Sequence, residues 1–470
     1  MSVDSTLLLK LYENFLQAIG VQSDPASEET EQADSNMALD VLGQEIFLND
    51  KPQIGLIGKV RAGKSTLGNA IFSKDAFETG DGLELTQEVR KTTLPSGIVI
   101  CDSPGFAGFS NHDKNVYDLM TNCDIILYVV RYPGQLDQSA VELYKKEIEP
   151  TAKLVITVIN MDESVSEDDA KKVTEQFKIK GSLLPNVTFV YALHGRYVQD
   201  LLLQIVDILP AKYQVVFSSA LDERFRRLTR RYIVYRLSIY SAAAACSSVI
   251  EEFSDKAIKQ KVNKITMIAA GLPLKIANVY GSDFDITDEI RRSTREVADR
   301  RYETIISEHR SGPAMTLGAT MSAVITSIAS HTPVVAAAIA AAGIAAAPVT
   351  LGLAAAGAAA AGALVASSLS KSFRMSKKPK LGGYDIALTI LALGYTTLDI
   401  ITGLKAGTVA AADSNSHFSK TFKDNLDLTM RDTIDAAMKD RLENATEGDR
   451  VKIGCMLMDN EELHKLFVPR

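Results

Sequence analysis

Twelve residues, GLIGKVRAGKST from Gly55 to Thr66, combine Gly55, Gly58 and Gly63 with a Lys-Ser-Thr run. Glycine-rich backbone can turn successive N–H groups inward on an anion, and the adjacent lysine adds a cation, so the predicted chemistry is the grip of a polyphosphate. Gly58-Lys59-Val60-Arg61-Ala62-Gly63-Lys64-Ser65 fits the pattern GxxxxGK[ST], between an apolar strand-like run and the helical TLGNAIF. Gly58, Arg61, Ala62, Gly63 and Thr66 are expected to line the phosphates. Lys64 would reach the β- and γ-phosphates, and the Ser65 hydroxyl would ligate Mg²⁺. About forty residues on, GIVICDSPG supplies a strand ending in Asp102, placed for a Mg²⁺ carboxylate, and Gly105, whose N–H would meet the γ-phosphate.

These groups need a frame. The runs IGLIG, GIVICD, DIILYVV, KLVITVIN and TFVYAL alternate with helical or polar stretches up to about Leu209, which predicts a parallel sheet covered by helices. Residues 1–49 read as two short helices with an acidic linker, 50–212 as the α/β phosphate-binding domain and 213–310 as a helical domain. Residues 311–370 read as an apolar helical hairpin and candidate membrane segment, and 371–470 as C-terminal helices. The run Arg224–Arg236 is expected to be the solvated face of a long helix.

The segments GKVRAGKSTLGNAIF, LTQEVRKTT and CDSPGF resemble the first three motifs of translation-factor-type GTPases, especially the Era, EngA and septin-like branch. The resemblance covers roughly residues 50–210 and implies a P-loop GTPase domain with GTP/GDP and Mg²⁺ as cofactors. It also implies Thr86 as the threonine that closes on Mg²⁺ when triphosphate is bound. Where the family carries N/T-K-x-D after the fifth strand, this chain has Asn160-Met161-Asp162-Glu163. A carboxylate there would accept two hydrogen bonds from guanine, whereas adenine would offer it an acceptor. Strict spacing assigns the task to Glu163; side-chain length favours Asp162. Ala192, in Tyr191-Ala192-Leu193, resembles the last family motif, whose backbone N–H meets the guanine oxygen.

Ras-like members place a glutamine after the DxxG motif to orient the attacking water; here the position holds Phe106, so that function must come from elsewhere. Arg61 matches a loop position at which the guanylate-binding and atlastin-like branch carries an arginine finger acting on dimerisation. The resemblance thus implies a catalytic set of Lys64, Thr86, Gly105 and Arg61 and a homodimer through the G domain.

From Ser311 to Ser370 there are sixty consecutive residues without Asp, Glu, Lys or Arg, followed by KSFRMSKKPK. Val349 to Leu369 would span about 31 Å as a helix, against a bilayer core of roughly 30 Å. The Lys371–Lys380 cluster sits where anionic headgroups would meet it. The alanine and glycine content equally suits a buried soluble hairpin, because each Ala in place of Leu forgoes about three carbons of apolar burial. A net charge of −7 and no recognisable RNA module lead to the expectation of no nucleic-acid partner. Four well-separated cysteines with no CxxC pair suit a reduced, cytoplasmic protein.

The layout of short helical N-terminus, G domain and large helical C-terminal region resembles that of dynamin-like and immunity-related GTPases. It implies a GTP-hydrolysing switch or mechanoenzyme on the cytoplasmic side of a membrane. The rival readings are a nucleotide-gated membrane-inserting effector and a ribosome-associated assembly GTPase.

Overall fold

The computed structural model describes residues 52–72, 77, 89–94, 97–103, 105, 113–152, 154–179, 184–209, 211–246, single residues between 265 and 280, 383–409, 420–446 and 449–469. The expected helices of residues 1–49, the hairpin 311–370, the cluster 371–380 and Thr86 lie outside the described residues. The chain divides into two compact units at Thr229/Arg230.

The first unit is built on six strands: β1 (Gln53–Ile57), β2 (Arg90–Thr93), β3 (Val99–Asp102), β4 (Ile125–Tyr132), β5 (Val155–Met161) and β6 (Thr188–Val190), in the order β2-β3-β1-β4-β5-β6. All neighbouring pairs are parallel except β2 with β3. The five apolar runs account for five strands. β2, the polar RKTT, has no apolar run and is held by pairing Arg90 to Thr93 against Asp102 to Val99.

Helices α1 (Lys64–Phe72), α2 (Asp113–Asn122), α3 (Gln138–Leu143), α4 (Glu167–Ile179), α5 (Val198–Ile208) and α6 (Ala211–Ala220) accompany the sheet. α1 packs on β1, β3 and α5, while α2 packs on β1 and α4 on β6. β4 is buried through its first six residues, as expected of a central strand covered on both faces. Because β3 and β4 flank β1 on opposite sides, the chain reverses direction around β1. The carboxyl end of β1 is therefore a topological switch point, where such sheets open a crevice.

The second unit continues from α7 (Glu223–Cys246), within which the division falls, through α8 (Gly383–Ala406), a wide π-type turn at Asn425–Met430, α9 (Ala436–Glu443), α10 (Arg450–Met458) and α11 (Glu461–Phe467). α7 organises it. Tyr235 donates to Leu457 O and Met458 O at 3.1 and 3.0 Å, and Arg231 Nε donates to Phe467 O at 2.6 Å, satisfying a carbonyl at the end of α11.

The basic run on α7 is therefore not one solvated face. Arg224 and Arg227 are exposed, but Arg231 caps a helix and Arg236 is buried beside Tyr240. The spacing of the apolar residues between these arginines, Tyr232 to Tyr235, is what turns some of them inward. α8 is long and apolar enough to cross a membrane, with mean hydropathy 1.6 over an 18-residue stretch of Gly383–Gly403, yet 78% of that stretch is buried within the fold. It serves as a core helix.

Asp385, in the first turn of α8, is buried beside Glu443, and desolvation followed by that like charge pushes its pKa up to about 7 against Arg431 and Lys439. The folded state thus holds a proton that the unfolded chain releases near pH 4, so stability falls as pH rises from about 4 to 7. Asp385→Asn is expected to flatten this dependence and to raise stability at pH 8 by on the order of 2 kcal/mol. Thermal melts across pH 5–8 check this, and a variant that melts like the wild type at both ends would contradict it.

Candidate phosphate-binding site

The site grows from the end of β1. After Ile57 the backbone loops through Gly58–Gly63 and enters α1 at Lys64, so the first amides of that helix point into the loop. Gly63 has φ +90°, a left-handed value, and a side chain there would overlap the Asn160 amide. Arg61 also takes a left-handed φ of 64°, at a cost in backbone energy, and its side chain is exposed with no partner among the described residues.

Three groups meet in the crevice. Lys64 is buried, and its Nζ donates to Lys59 O at 3.2 Å and Gly58 O at 3.4 Å. Burial lowers its pKa, opposed by the charge of Asp102. Asp102, 1% exposed, accepts from Ser65 Oγ at 2.6 Å, and its other oxygen, Oδ1, is buried without a hydrogen-bond partner among the described residues. Desolvation raises its pKa, while Ser65, Lys64 and Arg90 pull it down. A hydroxyl and a carboxylate oxygen with spare acceptor capacity are hard donors of the kind Mg²⁺ takes alongside water and phosphate. Gly105 lies against the loop, where an added Cβ would come 2.5 Å from Val60 N and Cα. Ala62 is buried, and Leu67 N closes the first helical turn on Gly63 O at 2.8 Å.

The carboxyl end of β5 closes the other side. Asn160 Nδ2 donates to Ala62 O at 3.0 Å, and its Oδ1 accepts from Ala192 N at 3.2 Å, so one amide joins the phosphate loop to the loop after β6. Met161 is buried in the core and not laid along an open slot.

Asp162 is committed. Arg131 Nη2 lies 2.8 Å from its Oδ2, and Ser164 N and Oγ donate to its Oδ1 at 3.2 and 2.9 Å, which holds its pKa down to about 2. Glu163 instead faces the loop that carries Ala192. Arg196 Nη2 is 2.9 Å and His194 Nε2 3.7 Å from its Oε2, and the Arg196 guanidinium lies 4.1 Å from the centre of the Tyr191 ring. Lys64, Ser65 and Asp102 thus meet at the glycine loop, against which Gly105 and Asn160 lie and to which Ala192 is tied through Asn160, whereas Arg61 is exposed and Asp162 turns to β4.

Sequence reasoning did not find the loop after β4. There Gln135 Nε2 donates to Val60 O at 2.8 Å, and Lys59 Nζ reaches Ser139 Oγ and lies 3.9 Å from Asp137 Oδ1. RYPGQLDQS carries no motif, and its relation to the phosphate loop exists only in three dimensions.

Residues 53–161 match the family described as 50S ribosome-binding GTPase, and this sheet with its glycine loop is a P-loop GTPase domain. The chain is 27% identical to GTPase Era of Ureaplasma parvum over 153 residues, 30% of this chain and 50% of that protein. It is 34% identical to GTPase HflX of Caldanaerobacter subterraneus over 91 residues, 17% of this chain and 21% of the relative. The chain spans about half the length of the Era relative and less of the HflX relative.

Among solved structures, Era in complex with MgGDPNP and a segment of 16S ribosomal RNA is similar at 19% identity over 40% of this chain and 67% of that one, with a TM-score of 0.30. A member of an oligomerised bacterial dynamin pair, described as sensing and tethering membranes, is similar at 9% identity over 98% of this chain and 96% of that one, with a TM-score of 0.24.

Asn160→Ala would orphan Ala62 O and Ala192 N at once. Loss of about 1–3 kcal/mol of stability without nucleotide is expected, read by urea unfolding. An unchanged midpoint would show that the two loops hold without the clasp.

Proposed function

We propose that this chain binds GTP with Mg²⁺ at the Gly58–Ser65 loop and hydrolyses it to GDP and phosphate. The helical region then responds to nucleotide state at a membrane, as in a dynamin-like switch or mechanoenzyme. The observation that carries the reading is the group of buried Lys64 and Asp102 with the half-buried Ser65, in which Asp102 Oδ1 has no hydrogen-bond partner among the described residues. Ser65 and Asp102, with Thr86, would hold the ion, which when bound offsets phosphate charge. Lys64 would leave the carbonyls of Gly58 and Lys59 for the β- and γ-phosphates, and the Gly105 N–H would meet the γ-phosphate.

Arg61, exposed and with no partner among the described residues, would stabilise transition-state charge across a homodimer of G domains, an effect of about 10³–10⁵ in rate. For base recognition, Ala192 N–H would leave Asn160 Oδ1 for the guanine oxygen. The carboxylate facing that loop is Glu163, since both oxygens of Asp162 are engaged elsewhere. The hairpin 311–370 and the Lys371–Lys380 cluster are the segment through which an anionic membrane would be touched.

A second reading, a ribosome-associated assembly GTPase, is favoured by the family match and by the Era relatives. For that reason the exclusion of nucleic acid expected from charge is not kept.

The test is phosphate release from GTP and from ATP, with and without anionic vesicles, by the intact chain and by one lacking 311–370. GTP turnover that rises with vesicles only in the intact chain, and with protein concentration unless Arg61→Ala is present, is expected. Turnover indifferent to vesicles but raised by ribosomal subunits would favour the second reading, and none at all would end both. Glu163→Ala is further expected to cut the preference for GDP over ADP by about 10–100-fold in competition against a fluorescent guanine nucleotide, while Asp162→Ala keeps it. The reverse pattern would return base recognition to Asp162.

A further inference from the structure

Hydrolysis of GTP needs a water aligned with the γ-phosphate, and the residue that follows Gly105 is Phe106, whose ring cannot hold one. The structure places an amide nearby. Gln135 is anchored through Nε2 on Val60 O at 2.8 Å, and its Oε1 is buried with no hydrogen-bond partner among the described residues. Val60 is also the residue against which Gly105 lies, within 2.5 Å of an added Cβ. The Gln135 amide and the γ-phosphate glycine therefore contact the same residue of the phosphate loop.

A buried carbonyl oxygen left unmatched costs about 1–3 kcal/mol, so a donor in the working state would be favoured. Among the described residues, the nearby side-chain donors are otherwise disposed. Lys59 is held by Ser139 and Asp137, Val60 offers no side-chain donor, and Arg61 is exposed. The small donor that the reaction itself brings is water.

We infer that Gln135 is a catalytic residue whose Oε1 accepts a hydrogen bond from the attacking water; the inference rests on the GTP-hydrolysing reading above. The water oxygen bonds to the γ-phosphorus as the bond from that phosphorus to the β–γ bridging oxygen breaks. The bonding pair leaves with GDP, and the water protons finish on the released phosphate or in solvent. Gln135 neither gains nor loses a proton. The latch of Lys59 on Ser139 and Asp137 keeps the loop beside Val60, which is a positioning task separate from that of Gln135.

The full-length chain with Gln135→Met, a neutral residue of similar length, tests this beside Asp137→Ala, which weakens the latch without touching the amide. Expected for Gln135→Met is a single-turnover GTP hydrolysis rate about 10²-fold below wild type. Its affinity for Mg²⁺-GDP should stay unchanged, and it should lose the tightening of Mg²⁺-GDP binding by aluminium fluoride that is expected of the wild type. Asp137→Ala should keep that tightening. The inference is overturned if Gln135→Met hydrolyses and tightens like wild type, or if its GDP affinity falls in step with its rate, as a merely structural loop would give. A wild-type chain that binds GDP but never releases phosphate from GTP would instead overturn the hydrolysis reading, seen before any variant is compared.

Discussion

The crevice depends on placing a carboxylate and an ammonium out of water in the same small volume. Asp102 is 1% exposed and Lys64 7% exposed, and each would be costly alone because desolvation penalises the charged form. The parallel register that pairs Leu56 with Asp102 brings the end of β3 beside the start of the glycine loop, and α1 then delivers Lys64 and Ser65 to the same place. The charges oppose each other's shifts without cancelling them: Asp102 still titrates high and Lys64 low. Such a site is poised for ligands that bring both signs, a polyanion and a divalent cation.

Around that centre the loops are tied by single side chains. Asn160 spans from the phosphate loop to the loop after β6, and Gln135 and Lys59 join the same loop to the segment after β4. A left-handed Arg61 and a Gly63 packed on Asn160 are tolerable because neighbours fix the loop on both sides.

How much of this the sequence carried follows from range. Apolar runs revealed β1, β3, β4, β5 and β6, because parallel strands buried on both faces read as continuous hydrophobic stretches. β2 escaped, since RKTT is an edge strand whose only signature is its partner. The phosphate loop was legible because its chemistry is local, eight residues turning into a helix. The Asn160 clasp was not, with partners 98 and 32 positions away, nor was Gln135, 75 positions from Val60. At Asn160-Met161-Asp162-Glu163 spacing and side-chain length pointed to different carboxylates. What neither could show is Arg131, which pairs with Asn160 in the register of β4 and β5 and lies 2.8 Å from Asp162.

The central claim is that Lys64, Ser65 and Asp102 form a receptor for a nucleoside triphosphate together with its metal. Titration calorimetry of the folded chain with a non-hydrolysable GTP analogue, with and without Mg²⁺, addresses it most directly. The account predicts saturable one-site binding that needs the ion for full affinity and disappears in Lys64→Ala. No heat of binding in the wild type, or equal binding by Lys64→Ala, would contradict it.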